Sequence, residues 1–161
     1  MVPSDPELGR SPVEVIIERV RSWPGVSLGP HPYDGIEFLL GEYEFGHVHR
    51  GWESVHINYP RRMRDALIEA GETDPHPSFS ESGWTSFDVA DHDHDHDRES
   101  NPVDEALRLL RLSYLYRSLV RWHTPAGETA LESLSVAEEL AALDPNSTVR
   151  AMIEDLRMTR E

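Results

Sequence analysis

Between Glu44 and Tyr59, apolar and polar residues alternate one for one in two short runs, and the phase of that alternation constrains the whole fold. On a strand, residues two apart share a face. His47 and His49 therefore stand together, with Phe45 beside them. If the turn around Gly51-Trp52 has an even number of residues, His56 and Asn58 join them, and Val48, Val55 and Ile57 share the opposite face. An odd turn would put His56 against Val48 and break up the apolar set. A strand has one buried side to satisfy, and a one-residue slip exposes it. The even turn is therefore expected: an antiparallel hairpin with a core face of Val and Ile and an outer face of three imidazoles.

The flanking segments change period. Ser11-Pro12-Val13-Glu14 reads as a helix start, with Ser11 as cap and Glu14 reaching back. Val13, Ile16, Ile17, Val20 and Trp23 then recur at helical spacing up to Pro24-Gly25. Strand-like runs follow near 25–31 and 36–41, before the histidine hairpin. Pro60 opens a second helix that Gly71 closes, and Gly83 to Val89 reads as a further strand. Asn101-Pro102 caps a third helix with two apolar stripes, which needs the sheet on one side and a second partner on the other. Residues 124–161 supply that partner as a helical hairpin, with Asp144-Pro145 capping its second helix. A dimerisation arm, and hence a homodimer, is the alternative role. Asn146-Ser147-Thr148 is read as a helix start rather than a glycan acceptor. The expected fold is α+β: an antiparallel sheet of about four to five strands, helices on one face, and a C-terminal helical hairpin. The expected division is 1–123, including a charged loop at 90–100, and 124–161.

Charge narrows the partners. Thirty acidic residues face fifteen basic ones, a formal net charge of −15, and every basic residue is Arg. Lysine, glutamine and cysteine are absent, which rules out disulfides and thiolate metal sites. A carboxylate surface of this density repels itself in dilute buffer and is screened at molar salt, where the Debye length is ~3 Å. A halophilic protein is the expectation. Nucleic acid is excluded as a partner, because affinity there comes largely from neutralised phosphates. With no apolar run of ~18 residues and no basic, apolar start, a cytoplasmic protein without membrane contact is expected.

Three convergent histidines suit general acid–base and oxyanion-binding chemistry, since imidazole titrates near neutrality. They equally suit a divalent metal with an open position, held by His47, His49 and His56. Polar residues on a solvated sheet face are the third reading. His76, held between Pro75 and Pro77, is a candidate fourth member of the pocket. Arg61 and Arg62, directly after the histidine strand, could clamp a carboxylate or enolate, although the helix dipole disfavours Arg there and calls for an acidic neighbour. Trp84 could wall the pocket or sit in the core. The run Asp91-His92-Asp93-His94-Asp95-His96-Asp97 is low-complexity and is expected to be a solvated loop with weak affinity for divalent ions.

The order Gly46-His47-Val48-His49, Val55-His56-Ile57, Pro60-Arg61-Arg62, Glu69-Ala70-Gly71, Pro75-His76-Pro77, Ser82-Gly83-Trp84 and Leu109 to Tyr114 resembles the small luciferase-domain proteins of bacteria and archaea. The same domain is similar to the catalytic region of fungal luciferase. The resemblance runs from about Ile36 to Tyr114. It implies that His47, His49, His56, His76 and Trp84 match a pattern used to oxidise a hispidin-type pyrone with O₂ and no cofactor. A membrane-anchoring N-terminus like that of the fungal enzymes is not expected here. A weaker likeness in element order is to the MmcQ/YjbR proteins of CyaY-like fold. The expected function is a small-molecule pocket, with cofactor-independent oxygenase-like chemistry by His47, His49, His56 and His76, and Asn58, Arg61, Arg62 and Trp84 as ligand contacts. The alternatives are a non-catalytic protein-interaction module and a three-histidine metal enzyme.

Overall fold

The computed structural model describes residues 11–90 and 101–160. Helix α1 (Pro12–Arg21) leads into strands β1 (Val26–His31), β2 (Gly35–Leu40), β3 (Tyr43–His49) and β4 (Ser54–Asn58). Helix α2 (Arg61–Glu69), strands β5 (Asp74–Pro75) and β6 (Trp84–Asp88) and helix α3 (Pro102–Val120) follow. The strands form one antiparallel sheet in the order β1-β2-β3-β4-β6-β5. Two-residue β5, read from sequence as loop, pairs with β6 through Asp74 and Pro75 and so ties His76 to the sheet.

Local chemistry explains the boundaries. Ser11 accepts from the backbone N–H of Glu14, but the Glu14 carboxylate receives the Arg50 guanidinium instead of turning back on its own helix. Gly71 adopts φ +75°, the left-handed geometry that a glycine closes a helix with, and the Glu72 N–H bonds the Leu67 carbonyl across it.

Helices α1 and α3 cover one face of the sheet. The core lies between them, with Val48, Val55 and Ile57 fully buried beside Ile16, Val20, Phe38, Leu109 and Leu112. Helix α3 is pinned to β4 by polar bonds as well. The Ser113 hydroxyl donates to the Asn58 carbonyl, and the Tyr59 hydroxyl, just past β4, donates to Leu109 of α3. Burial without water pushes the Tyr59 phenol well above its usual range.

The second stripe of α3 meets the C-terminal segment, as two apolar faces require. That segment is three helices rather than a two-helix hairpin: α4 (Pro125–Glu132), α5 (Val136–Leu143) and α6 (Ser147–Arg160). Ser135 opens α5 by accepting from the Glu138 N–H, a cap that the alanine-rich stripe concealed. Asp144, expected to open the last helix, instead closes α5 in a left-handed conformation at φ 44°. Asn146 caps α6, accepting from the Val149 N–H and donating to Glu72 and to the Ala66 carbonyl. Those bonds hold α6 against α2. Among the described residues no helix is long and apolar enough to cross a membrane.

Candidate active site

The uncovered face of the sheet carries the histidines. In the β3–β4 ladder His47 pairs with His56, Val48 with Val55 and His49 with Ser54, the register of the even turn. All three imidazoles are buried, no more than 6 % exposed. They are not a solvated polar face, because two further histidines and several aromatics close over them. His31 on β1 stacks on His47 with ring centroids 3.8 Å apart. His76 meets the edge of His56 at 4.4 Å, Trp84 tilts against His47 at 5.0 Å, and Trp52 covers His49 at 4.5 Å. Trp84 thus faces the cluster and not the core. Tyr33, Trp52 and Phe79 are each more than half exposed and surround the imidazoles as an aromatic rim.

An irregularity in β3 decides what lies beneath. Phe38 pairs with Gly46 but Leu39 pairs with Glu44, so Phe45 is an extra residue in a β-bulge. Phe45 turns inward, fully buried beside Phe38 and Tyr114, instead of standing with the histidines. The same step reverses the face of everything before it. Glu44, which strict alternation would send to the core, emerges on the histidine face. There its carboxylate lies 3.1 Å from Nδ1 of His47, and Glu37 makes the same contact with Nδ1 of His31.

The result is a connected polar chain. Glu44 Oε1 meets His47 Nδ1, His47 Nε2 meets His56 Nδ1 at 3.0 Å, and His56 Nε2 meets Ser54 Oγ at 3.4 Å. His76 Nδ1 accepts from the backbone N–H groups of Ser78 and Phe79, so the proton of its neutral ring sits on Nε2. His49 Nδ1 is buried without a hydrogen-bond partner among the described residues.

Burial sets the charge states. It pulls His47 and His56 down to about 3, helped by the neighbouring imidazoles, and His49 down to about 4. Burial also lowers His76. Glu44 is pushed up to about 7, first by burial and then by its hydrogen bond to Glu37 and by that group's charge. Glu37 is lowered, chiefly by the hydrogen bond from His31. At neutral pH His47, His49 and His56 are therefore uncharged rings, backed by the Glu44 carboxyl group that titrates near 7.

The structure gathers His47, His49, His56, His76 and Trp84. Asn58 lies at the margin, its amide donating to the Tyr43 hydroxyl. Arg61 and Arg62 are exposed on the first turn of α2. That turn has no acidic residue to offset them, and no contact joins them to the histidines among the described residues. The Asp91–Asp97 run lies outside the described residues. Sequence reasoning missed His31, Glu37 and Glu44. The first two were legible only as a histidine and an acid on facing strands, and Glu44 was hidden by the bulge. Donor atoms of His31, His47 and His49 lie within 4.8 Å of one another, so this grouping contains His31 where His56 was expected, and a second grouping joins His31 to Glu37 and Glu44.

The Luciferase domain family model matches residues 42–95, about a third of the chain. The matched segment holds His47, His49, His56, His76, Trp84 and Glu44, whereas His31 and Glu37 precede it. No curated protein and no solved structure matches the chain.

Proposed function

We propose that the Luciferase-domain segment, completed by β1 and β2, binds a planar, enolisable small molecule and removes its proton. The observation that carries this reading is the buried chain Glu44–His47–His56–Ser54. An imidazole held near 3 is a poor proton store at pH 7. In a chain it need not store one. With Glu44 ionised, His47 donates from Nδ1 to the carboxylate, His56 donates from Nδ1 to Nε2 of His47, and Nε2 of His56 is left as an acceptor facing the Ser54 hydroxyl. A proton taken there from the ligand moves the other two along and finishes on Glu44, whose pKa of about 7 suits it. Neither ring becomes a cation.

The exposed rim of Tyr33, Trp52 and Phe79 suits a flat ligand. His76, with its proton on the outward nitrogen, supplies a donor to the enolate oxygen. The enolate is electron-rich enough to add O₂ at carbon, and return of the proton from Glu44 completes a hydroperoxide. Ligand and O₂ are thereby fully accounted for.

A 3-hydroxy-4-pyrone, planar and neutral in water at pH 7, is the probe. Titrated at constant pH, it should show the absorbance of its anion on binding, with one proton retained by the protein. His56→Ala and His76→Ala should abolish this, and replacing His92, His94 and His96 together should leave it intact. Binding of the pyrone in its neutral form, or an unchanged signal in both single variants, would sink the reading.

A further inference from the structure

We propose that His31, His47 and His49 form a binding site for a divalent transition-metal ion, with Glu37 and Glu44 as the outer carboxylates that orient two of the ligands. Three independent observations converge. One donor atom from each histidine lies within 4.8 Å of the other two, close enough to be drawn onto one ion. Carboxylates hold Nδ1 of His31 and of His47, each at 3.1 Å, which directs both Nε2 atoms away from Glu37 and Glu44. That carboxylate–imidazole pairing is how proteins fix the tautomer and aim of metal-binding histidines. His49 supplies the third donor of the grouping, and its Nδ1 is buried with no hydrogen-bond partner among the described residues, a costly state that an ion would relieve.

Donor chemistry selects the ion. An all-imidazole set favours zinc, cobalt, nickel or copper over calcium and magnesium, which prefer oxygen. The fourth position is open or belongs to His56, whose Nδ1 is 3.0 Å from Nε2 of His47. In a tetrahedral zinc site with bonds of ~2.0–2.1 Å, neighbouring nitrogens stand about 3.3–3.4 Å apart, so the two rings would separate slightly to share an ion.

An ion here takes Nε2 of His47 from Nδ1 of His56 and so opens the proton chain. That consequence rests on the proposed function, but metal binding itself does not. The site thus adds a metal-dependent off state to the same residues.

The test uses the full chain carrying His92→Ala, His94→Ala and His96→Ala, so that the Asp/His run contributes no imidazole. Chelator-treated protein is titrated with Co²⁺ alone and followed by visible absorption. One equivalent should bind with the intense d–d bands of a four-coordinate site, and Zn²⁺ should displace it. His31→Gln and His49→Ala should abolish the bands, and Glu37→Gln should weaken binding 10- to 100-fold. Half-buried His31 and Glu37 can be replaced with less risk to the fold than His49, so His31→Gln decides if His49→Ala unfolds. Absence of stoichiometric Co²⁺ uptake, or bands unchanged in His31→Gln, overturns the site. Protein that binds Co²⁺ yet never ionises the pyrone refutes the proposed function and leaves the metal site standing.

Discussion

His47, His49 and His56 give acid stability a definite sign. In the unfolded chain they take up protons near pH 6.5, but in the folded protein only at about 3 to 4. The folded state therefore binds fewer protons, and the stability these groups confer is present above 6.5 and drains away as pH falls toward 3. Glu44 runs the other way: raised from 4.5 to about 7, it adds stability below 4.5 that is lost as pH rises through 7. Three groups outweigh one. Relief of self-repulsion at a net charge of −15 would by itself make the protein more stable at pH 5 than at pH 7. The buried histidines predict the reverse. Urea midpoints should fall from pH 7 to pH 5, and His56→Gln should flatten that slope. A midpoint that rises toward pH 5 would mean the imidazoles are not buried and neutral.

At the scale of elements, the bulge in β3 is the feature on which the site depends. It seats Phe45 in the core and Glu44 on the histidine face, and it works only because Gly46 has no side chain. A Cβ at Gly46 would stand 2.9 Å from Leu110 Cδ2 and 3.1 Å from the His56 carbonyl oxygen. Gly46→Ala should cost ~1–3 kcal/mol, the range for overpacking a core, and should loosen the Glu44–His47 contact. Thermal melts compared with Gly51→Ala, a position with open space around it, would measure that cost. A cost no larger than that of Gly51→Ala would show that the strand accommodates the change. The alternation of Val48, Val55 and Ile57 made the hairpin register readable from sequence, because burying one face leaves only one phase. The cap of α1, the glycine closing α2 and the two-sided α3 were readable for similarly local reasons. The bulge was not, since an inserted residue looks like ordinary alternation until the partner strand is known. His31 and Glu37 were missed for the related reason that their partners lie across a strand pairing. The break between α4 and α5 is a capping event inside a run of good helix formers, where periodicity alone does not stop.

The whole molecule is governed by its charge. We propose that the acidic, lysine-free surface suits a salt-rich surrounding, and the ion pairs do not contradict this. Arg50 with Glu14 and Asp34, and Arg150 with Asp144, are at least partly exposed and contribute little that salt could remove. Repulsion among thirty carboxylates acts over the entire surface and is what salt relieves. The melting temperature should rise steeply between dilute buffer and molar KCl; a flat or falling curve would remove the halophilic reading. The central claim, that one face of this sheet holds a buried cluster of uncharged imidazoles linked to Glu44, is tested most directly by the rings themselves. In ¹⁵N-labelled protein, with His47 and His56 assigned through His47→Gln and His56→Gln, imidazole nitrogen shifts followed from pH 5 to 8 should keep the pattern of neutral rings throughout. Midpoints near 6.5 for either ring, the value of a free histidine, would contradict it.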